Sequence, residues 1–157
     1  MSQWVLLAYR MPRVPSAPRI AVWRRLDRLG VARLGDGLVA LPADARTREQ
    51  VDWMAEEIAE AGGAGTVWLA EPASPAQERA IAAEMRRARA AEYQAVIDEA
   101  AATGPDDRAR VVRRLRAELR RINRRDFFPP PERDTARATV QALAAALPTA
   151  GDPVAGR

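Results

Sequence analysis

The sequence predicts an α+β fold, a small antiparallel sheet carrying two helices and followed by a helical extension. Three observations point to it. Short apolar runs of strand length alternate with segments of helical periodicity from Gln3 to Leu69. A Gly35-Asp36-Gly37 tripeptide separates two of the strand-like runs. Near Pro72 the aromatic-bearing strands give way to alanine- and arginine-rich helical sequence.

Gln3 to Tyr9 (QWVLLAY) is a continuous apolar run, which reads as a strand covered on both faces and therefore central in its sheet. Pro12, Pro15 and Pro18 then stiffen an extended link, with Ser16 expected as an N-cap and Pro18 in the first helical turn. Helix one is expected from Ala17 to Leu29, with Ile20, Trp23 and Leu26 on one face and Gly30 as its left-handed stop. Val31 to Leu34 and Leu38 to Leu41 form a hairpin around the glycine turn, and Pro42 ends it. Thr47 and Gln50 are expected to form a capping box for helix two. In that helix Val51, Met54, Ala55 and Ile58 make the core stripe, while Glu49, Asp52, Glu56, Glu57 and Glu60 face water. Gly62-Gly63 stops it, and Thr66 to Leu69 supplies the fourth strand. The resulting β-α-β-β-α-β order, with both helices on one face of the sheet, is that of the ferredoxin-like plait.

Ser74 and Gln77 are placed as a second capping box, with Pro75 at the first helical position. Helix three is expected to reach Ala102, its broken apolar line formed by Ile81, Met85, Ala88, Val96 and Ile97. Gly104-Pro105 interrupts the chain, and Asp106-Asp107 favour the start of helix four through its dipole. Val112, Leu115, Leu119 and Ile122 are spaced for helix packing, and the remaining faces are rich in arginine, at 108, 110, 113, 114, 116, 120, 121, 124 and 125. Phe127-Phe128 precedes a triple proline and is expected to pin helix four to the sheet domain or to a partner chain. A last helix, Glu132 to Leu147, aligns Ala136, Val140, Leu143 and Leu147. The expected organisation is a ferredoxin-like domain at 1–72, an arginine-rich extension of about three helices at 73–148, and a disordered tail at 149–157.

Composition narrows the function classes. The 157 residues contain neither cysteine nor histidine, which removes disulfides, thiol nucleophiles, Cys/His zinc sites and imidazole acid–base chemistry. All 25 basic residues are arginine, and the net charge is +4 with a pI near 10.7, so polyanions are the natural partners. No apolar stretch approaches the roughly 18 residues of a membrane span. The opening run is too short for a signal peptide, so a cytoplasmic location is expected.

Several positions in QWVLLAYRMPRVPSAPRIAVWRRLDRLGVARLGDGLVALP carry a family likeness. They are the Trp4 strand, Tyr9 and Pro12, Ser16 to Arg19, Trp23-Arg24 with Leu26, Leu29-Gly30, Asp36-Gly37 and Leu41-Pro42. Together they resemble the N-terminal domain of ChrB, a family associated with bacterial chromate-resistance operons. The likeness continues through Gly62-Gly63 and returns at Asp126-Phe127-Phe128-Pro129. The same block is similar to the Cas2-like middle domain of PaaX-type repressors. The resemblance implies a transcriptional regulator or regulatory subunit of chromate resistance. In the family a second, C-terminal domain follows, so a separate ChrB C-terminal-type protein is an expected partner.

The candidate sites follow from charge. Arg110, Arg113, Arg114, Arg116, Arg120, Arg121 and Arg124 form an expected nucleic-acid-binding surface, because guanidinium groups hold backbone phosphates and Glu118 is the sole acid among them. DNA is the expected macromolecular partner, together with self-association into a homo-oligomer, most simply a dimer. Arg10, Arg19 and Arg24 near helix one are candidate oxyanion ligands, whereas the bland reading makes the arginines around helix one solvated or paired with acidic helix two. Trp4, Trp23, Trp53 and Trp68 are expected in the core, with Trp53 the exception because it lies off the apolar stripe. Cas2-like nucleases hold a metal with a carboxylate at the end of the first strand, where this chain has Tyr9-Arg10. No catalytic constellation, metal site or cofactor is therefore expected. The competing readings are a dimerisation module, through the apolar seams of helices three to five, and a direct chromate sensor.

Overall fold

A computed structural model describes residues 2–148, and the expected tail at 149–157 lies outside them. The chain runs β1 (Trp4–Arg10), α1 (Ser16–Leu29), β2 (Ala32–Gly35), β3 (Leu38–Pro42), α2 (Ala45–Glu60), β4 (Ala64–Ala70), α3 (Pro75–Ala102), a 3-10 turn (Pro105–Asp107), α4 (Arg108–Arg124) and α5 (Glu132–Ala145). It divides into two compact units. Among the described residues, the first comprises those up to Arg86 with Arg125–Phe128, and the second Arg87–Arg124 with those from Pro129 onward. Among the described residues no helix is long and apolar enough to cross a membrane.

The first unit is a mixed α and β structure built on one antiparallel sheet of order β2-β3-β1-β4. β1 is central, as its unbroken apolar run predicts. It pairs with β3 from Trp4 opposite Pro42 to Ala8 opposite Leu38, and with β4 from Trp4 opposite Ala70 to Arg10 opposite Ala64. Because side chains alternate across a strand, this register sorts the sheet into two faces. Val5 and Leu7 share one face with Val39 and Leu41, and their core partners are Val22 and Leu26 of α1 and Val51, Met54 and Ile58 of α2. Trp4 and Ala40 lie on the opposite face, where Phe128 stacks on Trp4 with ring centroids 6.0 Å apart. Ile81, Met85 and Phe127 pack on the same core.

Local details depart from the sequence reading in instructive ways. Ser16 is the first residue of α1, not its cap; Pro15 holds the N-cap position with no side-chain hydrogen bond. The buried stripe of α1 is Val22 and Leu26, leaving Trp23 50% and Ile20 44% exposed. Val22 and Leu26 lie one turn apart, and Trp23 is rotated by about 100° from Val22, toward the helix flank. Trp53 and Trp68 are 63% and 58% exposed, so of the four tryptophans only Trp4 fills the core. Trp68 sits on edge strand β4, on the sheet face that α1 and α2 leave uncovered.

The capping box of α2 also differs. Asp44 and Thr47 form it, the Asp44 carboxylate accepting from Thr47 N at 2.7 Å and Thr47 Oγ1 accepting from Asp44 N at 2.9 Å. Aspartate competes as well as threonine for an N-cap, and Thr47 then falls at N3, where its hydroxyl reaches back. At α3 the Ser74 hydroxyl does accept from Gln77 N, at 3.2 Å.

In the second unit, Tyr93, Val96 and Ala100 of α3 pack with Val111, Leu115 and Ile122 of α4 and Ala136 and Val140 of α5. Tyr93, 1% exposed, is a core residue that the predicted apolar line of α3 omitted.

Two tests follow from these contacts. Gly37 has φ 70°, and Tyr9 N donates to its carbonyl at 2.8 Å. A Cβ there would run into the Tyr9 carbonyl, whereas one at Gly35 would meet open space. Gly37→Ala should therefore lower unfolding free energy by about 1–3 kcal/mol, with Gly35→Ala close to neutral in the same denaturant titration. Glu78 Oε1 accepts from Trp4 Nε1 at 3.1 Å and from Ser2 N at 3.0 Å. The Trp4 hydrogen bond is the main cause holding its carboxyl below the usual range. Its stabilisation is present above the unfolded carboxylate pKa and is lost as pH falls through the lower folded value. Glu78→Gln should lower the Tm at neutral pH, and the gap to the parent protein should close in acid.

Candidate functional site

The charge on α4 is displayed by its packing. Val111, Val112, Leu115 and Ile122 are buried, so the arginines between them are turned outward. They fall into two rows. Arg110, Arg114 and Arg121 make one, and each meets a carboxylate. Arg110 bonds Asp107 at 3.0 Å, Arg121 bonds Glu118 at 2.6 Å, and Arg114 is paired with Glu99 of α3. Arg113, Arg116 and Arg120 make the second row, at helical spacings of three and four. All three are exposed, and none has an ion-pair or hydrogen-bond partner for its side chain among the described residues. Arg124 extends this row and has an interaction of its own.

The seven arginines expected to bind nucleic acid thus lie on one helix but are not equivalent. Reading along α4 finds Glu118 as the sole acid; Glu99, fifteen positions before Arg114 in sequence, becomes its partner only through helix packing. Exposed pairs of this kind contribute about 0–1 kcal/mol to stability. Their larger effect is to neutralise one row and leave the other as three free cations.

A second basic surface lies in the first unit. The end of β1, the link into α1, α1 itself and the β2–β3 turn enclose an open cleft of about 650 Å³. Arg10, Arg13, Arg19 and Arg33 line it with Tyr9, Trp23 and Asp36. Arg33 is fixed in place. Its guanidinium carbon lies 4.5 Å from the Trp23 ring centroid, and Nη2 donates to the Trp23 carbonyl at 3.2 Å. The side chains of Arg10, Arg13 and Arg19 have no partner among the described residues.

Of the three oxyanion candidates, Arg10 and Arg19 are therefore brought together, while Arg24 is exposed on α1 and does not line the cleft. Arg25 next to it pairs with Glu57 of α2, as the bland reading of these arginines expects. Arg33 was not legible as a site residue, because only the hairpin pairing carries β2 back beside α1. A further groove, about 660 Å³, is acidic: Asp44, Glu49, Asp52 and Glu56 line it beside exposed Trp53. No group of three or more acidic, histidine or cysteine residues placed to hold a metal ion occurs among the described residues.

The family model described as Protein ChrB, N-terminal matches residues 19–104, from the first turns of α1 to the end of α3. The match includes Arg19, Trp23, Arg33 and Asp36 of the basic cleft; Arg10 and Arg13 precede it, and α4 follows it. No curated protein and no solved structure matches the chain. The βαββαβ unit at the start of the chain and the family match across more than half of its length lead to one assignment: the chain belongs to the ChrB N-terminal family.

Proposed function

We propose that this protein is a regulator, or the regulatory subunit, of chromate resistance that contacts nucleic acid through the unpaired arginine row of α4. Membership of the ChrB N-terminal family supports the pathway. The single observation that carries the nucleic-acid reading is the row Arg113, Arg116 and Arg120, exposed and without carboxylate partners among the described residues. At a rise of 1.5 Å per residue it extends for roughly 10 Å. That is about three phosphate-to-phosphate steps of rise along one strand of duplex DNA. Guanidinium groups remain charged at every physiological pH and grip phosphate oxygens as planar forks.

We read the protein as a binding component, not an enzyme. The groups on which both basic surfaces depend are guanidinium ions, which act as fixed charges and not as proton carriers. We also read the first unit as a ferredoxin-like plait; the sheet order β2-β3-β1-β4 and the βαββαβ sequence of elements support that assignment.

Replacing Arg113, Arg116 and Arg120 together with Ala should weaken duplex DNA binding by a similar factor on every sequence. The slope of log affinity against log salt should flatten by about one unit per lost phosphate contact. Replacing Arg110, Arg114 and Arg121 should do less, because those charges are already neutralised. Gel-shift titrations at several salt concentrations check both. Unchanged affinity in the first variant would sink the proposal.

A further inference from the structure

The basic cleft of the first unit goes beyond this reading and uses different residues. We infer that it is a binding site for a nucleoside monophosphate, taken either free or as the phosphorylated end of a single strand. Three features select this chemistry. Arg10, Arg13 and Arg19 reach one cavity from β1, the link and α1, and none has a partner among the described residues. Such a convergence of free guanidinium groups suits a doubly charged phosphate ester.

Beside them stands a flat platform. Arg33 is held over the Trp23 ring at 4.5 Å, and Trp23 remains 50% exposed. Bases stack on aromatic rings and on guanidinium planes alike. Asp36, on the turn, also lines the cleft. Its carboxylate accepts from a ribose hydroxyl or an exocyclic amine, but repels a bare oxyanion. Size agrees with this choice. About 650 Å³ falls within the range of small-molecule sites and far exceeds the volume of a single tetrahedral anion.

Calorimetry on the full chain tests the assignment, with AMP, UMP, adenosine, inorganic phosphate, sulfate, chromate and a short 5′-phosphorylated single strand as ligands. AMP or UMP should bind at least about tenfold more tightly than adenosine or any of the inorganic anions. Comparable binding of the mononucleotides and the oligonucleotide identifies a free nucleotide as sufficient; binding of the oligonucleotide alone, kept in the Arg113, Arg116 and Arg120 variant and lost without the 5′-phosphate, identifies a strand end. Arg10→Gln combined with Arg19→Gln should cost at least about tenfold in affinity at an unchanged Tm. Trp23→Leu should weaken the nucleotide and leave inorganic phosphate unaffected.

The Arg113, Arg116 and Arg120 variant should bind AMP or UMP normally, so that failure at α4 and failure at the cleft are separate results. Phosphate, sulfate or chromate binding as tightly as the nucleotides would overturn the inference. So would an unaltered affinity in the Arg10/Arg19 variant, or no heat with either mononucleotide or the strand.

Discussion

β1 has a hydrogen-bonded neighbour along each edge, and the first unit is organised by that double pairing. A strand flanked on both sides has its backbone donors and acceptors paired within the sheet, and its side chains alternate between the two faces. Val5 and Leu7 pack against α1 and α2, and Trp4 packs against Phe128. A slip of one residue in either ladder would exchange these faces and place the Trp4 indole among the α1 and α2 side chains. The Gly37 turn adds a lock on the same strand, since it bonds the Tyr9 backbone. The basic cleft begins where β1 ends, and Arg10 is carried to it by the register that sets the core.

Charge in this protein is arranged by pairing more than by count. Arginine is its sole basic residue type, so abundance alone identifies no site. What differs between arginines is whether a carboxylate stands opposite. On α4 the row facing Asp107, Glu99 and Glu118 is neutralised, and the row of Arg113, Arg116 and Arg120 is not. Around α1, Arg25 is taken up by Glu57, and Arg10, Arg13 and Arg19 are left to the cleft. Free guanidinium ions keep their hydration and counter-ions until a polyanion displaces them, which is why salt is the informative variable at either surface.

The tryptophans show how aromatic residues escape a sequence-based core assignment. Trp53, which lies off its helix's apolar stripe, is exposed as expected, but Trp23 and Trp68, each beside an apolar stripe, are also at least half exposed. A rotation of 100° per residue on a helix carries a neighbour of the stripe to the flank, and an edge strand presents one face that helices need not cover. Exposed indole is costly to hydrate, and it accumulates here beside ligand-sized openings: Trp23 in the basic cleft and Trp53 in the acidic groove.

By itself the sequence determined the succession of strands and helices, the central place of β1, the hairpin at Gly35-Asp36-Gly37 and the family. These depend on local periodicity, on glycine and proline geometry, and on motifs contiguous in the chain. It also located the arginine-rich helix, because a charge run needs no folding to be seen. Tertiary structure alone decided which arginines are free, that Arg33 joins Arg10 and Arg19 while Arg24 does not, and that Tyr93 is core. Each of these turns on the rotation of a helix about its own axis or on a partner distant in the chain, and packing fixes both where sequence spacing does not.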